Sequence, residues 1–367
     1  MNKLIYKVLR KMKRGFRGTV RTLGKALLPR QMPYEINVIA ENLFVPWAID
    51  ISSEGKIYFT ERSGTIRVIE NGKVNSEPII TFEPPFVSRG EGGLLGIALD
   101  PNFIQNHYIY AMHTYSEDNR LFNRVVRLIE KNNKASVDKV IIDKIPGGQV
   151  HNGGRIKRGP DKKLYIATGD GGTPSLAQNP TSTAGKILRI ELDGSIPKDN
   201  PIPNSPVYSL GFRNPQGLTW NSTNILYGTD HGEVAQDEVN IIESGANYGW
   251  PIVQGNQASS EVASKKPLVQ SGGETWAPAG ISFINIGPWQ GKLVVGNLRG
   301  SQLLVISLGE DGRTVANQEF FLKNEFGRIR DVIQGSDGSI YFTTSNRDGR
   351  GNPTSKDDRI IQLTPKG

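Results

Sequence analysis

The sequence predicts an all-β fold, a six-bladed β-propeller over residues 34–367, preceded by a basic N-terminal extension of helical pattern over residues 1–33. A unit of two short strands joined by a polar loop recurs six times after residue 35. The copies lie roughly 50 to 70 residues apart, the period of repeats that hold several strands each and stack to bury their faces. The 42 glycines and 22 prolines of the 367-residue chain supply turns between the strands, and no long apolar pattern of helical period runs through the body.

The first copy pairs residues 55–60 (GKIYFT) with 65–69 (TIRVI). The second pairs 107–110 with 124–129, the third 163–167 with 186–190, and the fourth 224–228 with 238–242. The last two pair 292–295 with 302–306 and 339–343 with 359–363. Residues 36–40 (INVIA) are expected to add a strand to the final blade and close the ring, which leaves few strand edges exposed. In such a ring the loops of several blades converge at one mouth of a central channel, and a functional site is expected there.

The net charge of +8 is unevenly distributed. Residues 1–30 carry ten basic side chains and no acidic one, which leaves the body at −2. A body of near-neutral charge gives no support to nucleic-acid binding. The apolar residues Ile5, Leu9, Met12, Phe16, Val20, Leu23 and Leu27 form a helical stripe opposite that basic face, the pattern of a helix lying on an anionic membrane surface. A solvated extension is the alternative. Charged residues interrupt every stretch that would serve as the apolar region of a secretory signal. With no cysteine in the chain, thiol catalysis, disulfides and Cys-ligated metals are excluded. No apolar run is long enough for a membrane-spanning helix.

Several loops carry residues suited to chemistry. His151 sits in a glycine-dense loop, PGGQVHNGGR over residues 146–155, where the backbone can approach a ligand closely. Asp170, in TGDGG over 168–172, is placed to orient it, as a general base requires. GFRNPQG over 211–217 holds Arg213 and Asn214 in a turn, and a guanidinium there suits an anionic or quinone-like oxygen. DHGEVAQDE over 230–238 and the aromatic turn NYGWP over 247–251 offer carboxylates and backbone carbonyls of the kind that hard cations take, without the spacing of an EF-hand. Arg328 and Arg330 share one side of an extended segment and make a clamp for carboxylate or phosphate; Arg299 is a further candidate. Each residue also fits a structural role: a loop histidine, a turn aspartate, solvated arginines. His107 and His113, which flank a strand, read as structural or surface residues.

Taken in order, the stretches GEGGLLGI (90–97), HNGGR (151–155), GKILRIELDGSIPKDNP (185–201), GFRNPQG (211–217), DEVN (237–240) with NYGWP (247–251), and RIR (328–330) resemble the soluble pyrroloquinoline quinone (PQQ) dependent aldose sugar dehydrogenases, or glucose/sorbosone dehydrogenases. The resemblance spans about residues 36–365 and implies a six-bladed propeller quinoprotein that oxidises the C1 carbon of aldoses to the lactone, by hydride transfer to the quinone. Electrons would pass to an external acceptor. It implies His151 as general base, Asp170 as its support and Arg213 as stabiliser of developing oxyanion charge. Glu91, Arg213, Asn214, Arg299, Arg328 and Arg330 would contact the cofactor. One calcium would use the backbone carbonyls of Gly232 and Glu233, and a second would use Glu238 and the Tyr248 carbonyl. The resemblance also implies work outside the cytoplasm.

The chain departs from the family pattern at Glu91, where some members carry glutamine, and at Val150, where glucose-oxidising members carry an acidic residue. These differences point to a broad aldose preference. Trp276 is a candidate for lining the sugar site. A propeller of the same superfamily that binds carbohydrate or protein without catalysis is the alternative function. A calcium-dependent lactone hydrolase on a similar fold is disfavoured by Arg213, Arg328 and Arg330.

Overall fold

Six antiparallel sheets are arranged as the blades of a propeller in the computed structural model, which describes residues 31–366. Blade 1 holds β2 (Pro46–Ile51), β3 (Ile57–Glu61), β4 (Thr65–Glu70) and the short β5 (Lys73–Val74), with β6 (Ile80–Thr81) also paired to β4. Blade 2 holds the long strands β7 (Leu94–Leu99), β8 (Tyr108–Glu117), β9 (Arg120–Lys131) and β10 (Lys134–Pro146). Blade 3 comprises β11 (Ile156–Arg158), β12 (Leu164–Thr168), β13 (Lys186–Ile190) and β14 (Val207–Leu210). Blade 4 comprises β15 (Pro215–Trp220), β16 (Leu226–Asp230), β17 (Glu238–Ile242) and β18 (Val269–Gln270). Blade 5 runs β19 (Pro278–Phe283), β20 (Lys292–Asn297), β21 (Gln302–Leu308) and β22 (Val315–Phe321). Blade 6 takes β23 (Ile329–Gln334), β24 (Ile340–Thr344) and β25 (Ile360–Pro365) from the end of the chain, and β1 (Tyr34–Ala40) from its beginning.

The ring closes as the sequence predicts: Ile36 pairs with Leu363 and Val38 with Ile361. The strand pairs read as repeats are the second and third strands of each blade. The innermost strands were not picked out, because β2, β7, β11, β15, β19 and β23 differ widely in composition. Helix among the described residues amounts to Phe103–Asn106 and a 3-10 turn over Pro174–Gln178. The proposed helix over residues 1–30, and with it the membrane-surface expectation, lies outside the described residues. Among the described residues no helix is long and apolar enough to cross a membrane.

Central strands have both faces covered by neighbouring blades, so β3, β12 and β13 are buried along their whole length and show no polar alternation. The apolar core is a series of layers between blades. Trp47, Ile66 and Val68 of blade 1 meet Leu95, Ile109 and Leu128 of blade 2. Ala167 and Ile187 of blade 3 meet Leu218 and Leu226 of blade 4. Ile360 of the last blade meets Ile49 and Phe59 of the first. A β-bulge interrupts the pairing of the innermost strand at one end of five blades, between Pro46 and Ala48, Leu94 and Ile97, Pro215 and Gly217, Pro278 and Ile281, and Ile329 and Asp331. Bulges of this kind re-aim side chains, and all five lie at the end that carries the candidate site.

One buried ion pair crosses the channel. Arg155 Nη1 lies 2.8 Å from Asp331 Oδ2, and both side chains are 1% exposed. Arg155 Nε donates to the Gln216 carbonyl and its guanidinium sits 4.7 Å from the Trp47 ring. Asp331 Oδ2 also accepts the Ile49 N–H. Blades 1, 3, 4 and 6 thus share one polar knot. Gly280 is required beside it, because a Cβ there would stand 2.3 Å from Asp331 Oδ1.

Deleting one partner of such a pair strands the other charge, at a cost of about 3–5 kcal/mol. Asp331→Ala is therefore expected to lower the unfolding free energy by that amount, read from the denaturant midpoint. Pairing Arg155→Met with Asp331→Leu is expected to recover much of the loss. Parent-like stability of Asp331→Ala would contradict this role.

Candidate active site

In an antiparallel blade the start of the innermost strand and the end of the second strand lie on the same rim. The loops before β11, β15 and β23 carry His151, Arg213 with Asn214, and Arg328. Those after β3, β12, β16, β20 and β24 carry Arg62, Asp170, His231 to Glu233, Arg299 and Asp348. They enclose a cavity of about 680 Å³. Of the residues singled out in the sequence, Glu91, His151, Arg213, Asn214, Gly232, Glu233, Arg299, Arg328 and Arg330 all line it. Asp170 lies directly behind His151. Glu238 and Tyr248 sit apart, around a neighbouring void of about 10 Å³ that Asp230 and Gln236 also border.

His151 is held from two directions. Its Nδ1 lies 2.8 Å from Asp170 Oδ1, and its backbone N–H donates to Glu91 Oε2 at 2.8 Å. Its φ of +56° is sparsely populated for a non-glycine residue, and the Glu91 bond fixes that conformation. Glu91 Oε1 in turn pairs with Arg350 at 2.7 Å. Both Glu91 oxygens are therefore engaged by protein, so this carboxylate shapes the histidine loop. The approach of the His151 and Asp170 loops demands Gly169, whose Cβ would lie 1.9 Å from the His151 carbonyl oxygen.

Asp170 is fully buried and accepts further hydrogen bonds from the Gly172 N–H (2.7 Å) and Trp250 Nε1–H (2.9 Å). The loop that follows it, residues 169–185, is pinned by Lys186. The Lys186 ammonium donates to the carbonyls of Leu176, Ala177 and Ala184, and burial lowers its pKa to about 7. This accounts for the lysine in the GKILR stretch.

Arg213 and Asn214 owe their placement to Asp230, whose two oxygens accept both backbone N–H groups at 3.0 and 2.7 Å. Burial, with Glu238 nearby, raises the Asp230 pKa well above the usual carboxylate range. The Asn214 side chain accepts the Gly153 N–H at 3.0 Å and so ties this turn to the histidine loop. The Arg213 guanidinium lies 5.3 Å from the Trp250 ring centroid. His231 beside it is kept neutral, because burial and then the charges of Arg213 and Arg330 push its pKa well below normal.

On the far wall Arg328 Nε and Arg330 Nη2 converge on Asp348 Oδ2 at 2.9 and 3.1 Å. Arg330 also donates to Gln216 Oε1 and Ser345 Oγ, and burial lowers its pKa to about 10. Six arginines line the cavity against the carboxylates of Glu91, Glu233, Asp237 and Asp348. The site has surplus positive charge in a partly desolvated space and is built to receive an anion.

Arg62, Asp348 and Arg350 received no role from the sequence, and Asp230 and Trp250 lie in stretches read there only as offering oxygens to a cation. Arg62 directly follows a second strand and Asp348 lies four residues beyond another, in the loops equivalent to the one that carries Asp170. Comparing those loops across all six repeats would have found them. Trp250 gives no such signal, since it reaches Asp170 from the loop beyond β17. The expectation for Trp276 is corrected: it is buried and packs edge-on against Phe320 at 5.9 Å, while its neighbours Thr275 and Ala277 line the cavity. The indole fills space between blades 4 and 5. His113 is buried against Phe82 and Phe86, with its pKa lowered to about 4 by burial. His107 lies half-exposed, 3.7 Å from Glu130.

Burial alone would raise the Asp348 pKa, but Arg330 and Arg328 outweigh it and hold the carboxyl below its ordinary value. The stability it contributes is complete above the unfolded-state pKa of about 3.9 and is lost as pH falls through the lower folded value. Asp348→Asn is expected to give a shallower acid-unfolding transition by circular dichroism. Superimposable transitions would refute this.

Residues 43–354 match the family model described as Glucose / Sorbosone dehydrogenase. The PQQ-bound aldose sugar dehydrogenase of Streptomyces coelicolor superposes with a TM-score of 0.82 at 36% identity, covering 92% of this chain and 99% of that one. Aldose sugar dehydrogenase YliI of Escherichia coli K12 is 30% identical over 89% of this chain and 94% of its own length. Quinoprotein glucose dehydrogenase B of Acinetobacter calcoaceticus is 33% identical over 72% of this chain and 64% of its own. With the six-bladed architecture and the convergence of His151, Arg213, Arg328 and Arg330 on one cavity, this match places the chain in the glucose/sorbosone dehydrogenase family.

Proposed function

We propose that the protein is a PQQ-dependent aldose dehydrogenase that oxidises the sugar C1 carbon to the lactone and passes electrons to an external acceptor. The observation that carries this reading is the pairing of an oriented imidazole with a surplus of guanidiniums around one cavity. The donor set fits the cofactor. PQQ is a flat tricarboxylate, and Arg62 and Arg213 each keep a buried Nε–H with no protein acceptor. Such orphaned donors are costly unless an acceptor arrives. Arg213, Asn214, Arg299, Arg328 and Arg330 would hold the group, with Glu91 shaping the pocket beside it. When bound, it would supply the hydride acceptor that the protein lacks.

The protein's own part follows from the geometry. The Asp170 carboxylate accepts from Nδ1, so the proton resides there and the lone pair on Nε2. His151 is thereby a base for the C1 hydroxyl proton, and Asp170 stabilises the imidazolium that results. Arg213 presents a cation with an unpaired N–H, suited to stabilising oxyanion charge.

Among the described residues no group of three or more His, Asp or Glu side chains gathers as a metal site. The carbonyls of Gly232, Glu233 and Tyr248 receive no backbone N–H among the described residues, which leaves them available to a hard cation. Glu238 would complete the second site. Its pKa is raised to about 7 by burial, so a cation there would offset the cost of its ionised form.

The deciding experiment is reconstitution of the apo-protein with PQQ and calcium, followed by a panel of aldoses and a dye acceptor. Sugar-dependent dye reduction is expected, and His151→Ala is expected to lower it roughly 10²–10⁴-fold. Retained cofactor binding with no oxidation of any aldose would instead favour the binding propeller. Calcium is expected to raise the Tm of the parent more than that of Glu238→Gln, which keeps only the Gly232 and Glu233 position; an equal rise in both would remove Glu238 from the second site.

A further inference from the structure

We infer that Trp250 is a positioning residue that sets the base and the oxyanion-stabilising arginine together. The inference rests on the proposed roles of His151 and Arg213. A fully buried carboxylate needs donors for both of its oxygens. Asp170 Oδ1 receives His151 Nδ1–H and the Gly172 N–H, while Oδ2 receives the Trp250 indole N–H at 2.9 Å. The indole opposes rotation of the carboxylate, and the carboxylate fixes the imidazole. Indole N–H is a donor only, so it cannot itself take a proton from the carboxylate.

The same ring faces Arg213, whose guanidinium lies 5.3 Å from its centroid. A cation over the face of an indole is attracted to it, and Arg213 Nε has no protein acceptor. The ring is anchored through its backbone. Its N–H donates to the Gly211 carbonyl at 3.0 Å, and its carbonyl accepts from Gln178 Nε2 at 2.6 Å. Three loops, after β12, before β15 and after β17, therefore meet at one 7%-exposed tryptophan. The titratable groups around this assembly are His151, Asp170 and Arg213 and, behind the arginine turn, Asp230 and Glu238, with the neutral His231 beside them.

The test uses the full chain with Trp250→Phe, which keeps the ring face and removes the N–H. With PQQ and calcium bound, kcat is expected to fall roughly 10- to 100-fold, the worth of a hydrogen bond to a charged group. The KM for the aldose and the Kd for PQQ are expected to stay within about threefold. A second readout needs no activity. In the apo-protein, the low-field Nδ1–H proton resonance of His151, identified by its loss in His151→Gln, is expected to shift or broaden in Trp250→Phe. Trp250→His, which restores an N–H donor, is expected to recover part of kcat and a defined resonance, and it serves if the phenylalanine variant fails to fold. A lowered Tm with unchanged kcat and unchanged resonance would make Trp250 merely structural and overturn the inference. If the parent oxidises no aldose, the proposed function fails, while the resonance still decides whether Trp250 sets His151.

Discussion

The Arg155–Asp331 pair in the channel is the contact on which the rest of the site depends. A propeller ring has no single core; it has apolar layers between neighbouring blades. Nothing in those layers fixes blade 3 relative to blade 6 across the axis. The buried ion pair does so, with Trp47 stacked on the guanidinium and the backbone of blades 1 and 4 supplying a donor and an acceptor. His151 lies four residues before Arg155, and Arg330 lies next to Asp331. The two walls of the cavity are thus tied directly to the two members of the pair.

The site above it concentrates like charge. Arg328 and Arg330 share the single Asp348 carboxylate while Arg62 donates to the Asp348 backbone carbonyl, and the guanidiniums of Arg62 and Arg330 are both lowered in pKa, chiefly by burial. This arrangement costs folding energy that an anionic ligand would return. Donors without acceptors at Arg62 and Arg213 express the same bias. The opposing set, Asp230 with Glu238, concentrates carboxylates behind the arginine turn, and Asp230 is satisfied by the backbone N–H groups of Arg213 and Asn214. Cation-rich and carboxylate-rich halves therefore share the segment 211–214.

The base, its aspartate and the arginine come from different loops, and the chain fixes each by backbone as much as by side-chain contacts. Glu91 holds the His151 N–H, Asp230 holds the Arg213 N–H, and the Asp170 N–H donates to the Arg213 carbonyl. The family relationship fits this architecture, since relatives at 30–36% identity cover most of the chain.

The sequence by itself determined the all-β class, the six repeats and the closing strand, because strand periodicity and turn residues are local and recur. It also marked His151, Asp170, Arg213, Arg328 and Arg330, since glycine-dense loops and arginine spacing are visible without coordinates. Only the tertiary structure decided what these residues face. Asp348, Arg62 and Arg350 reach the cavity because bulges and second-strand ends point to one rim, a property of the closed ring. Trp250 meets Asp170 across 80 residues, and Trp276 turns into the core where the sequence had suggested the site. Contacts of that kind are set by how blades pack, and no local pattern encodes them.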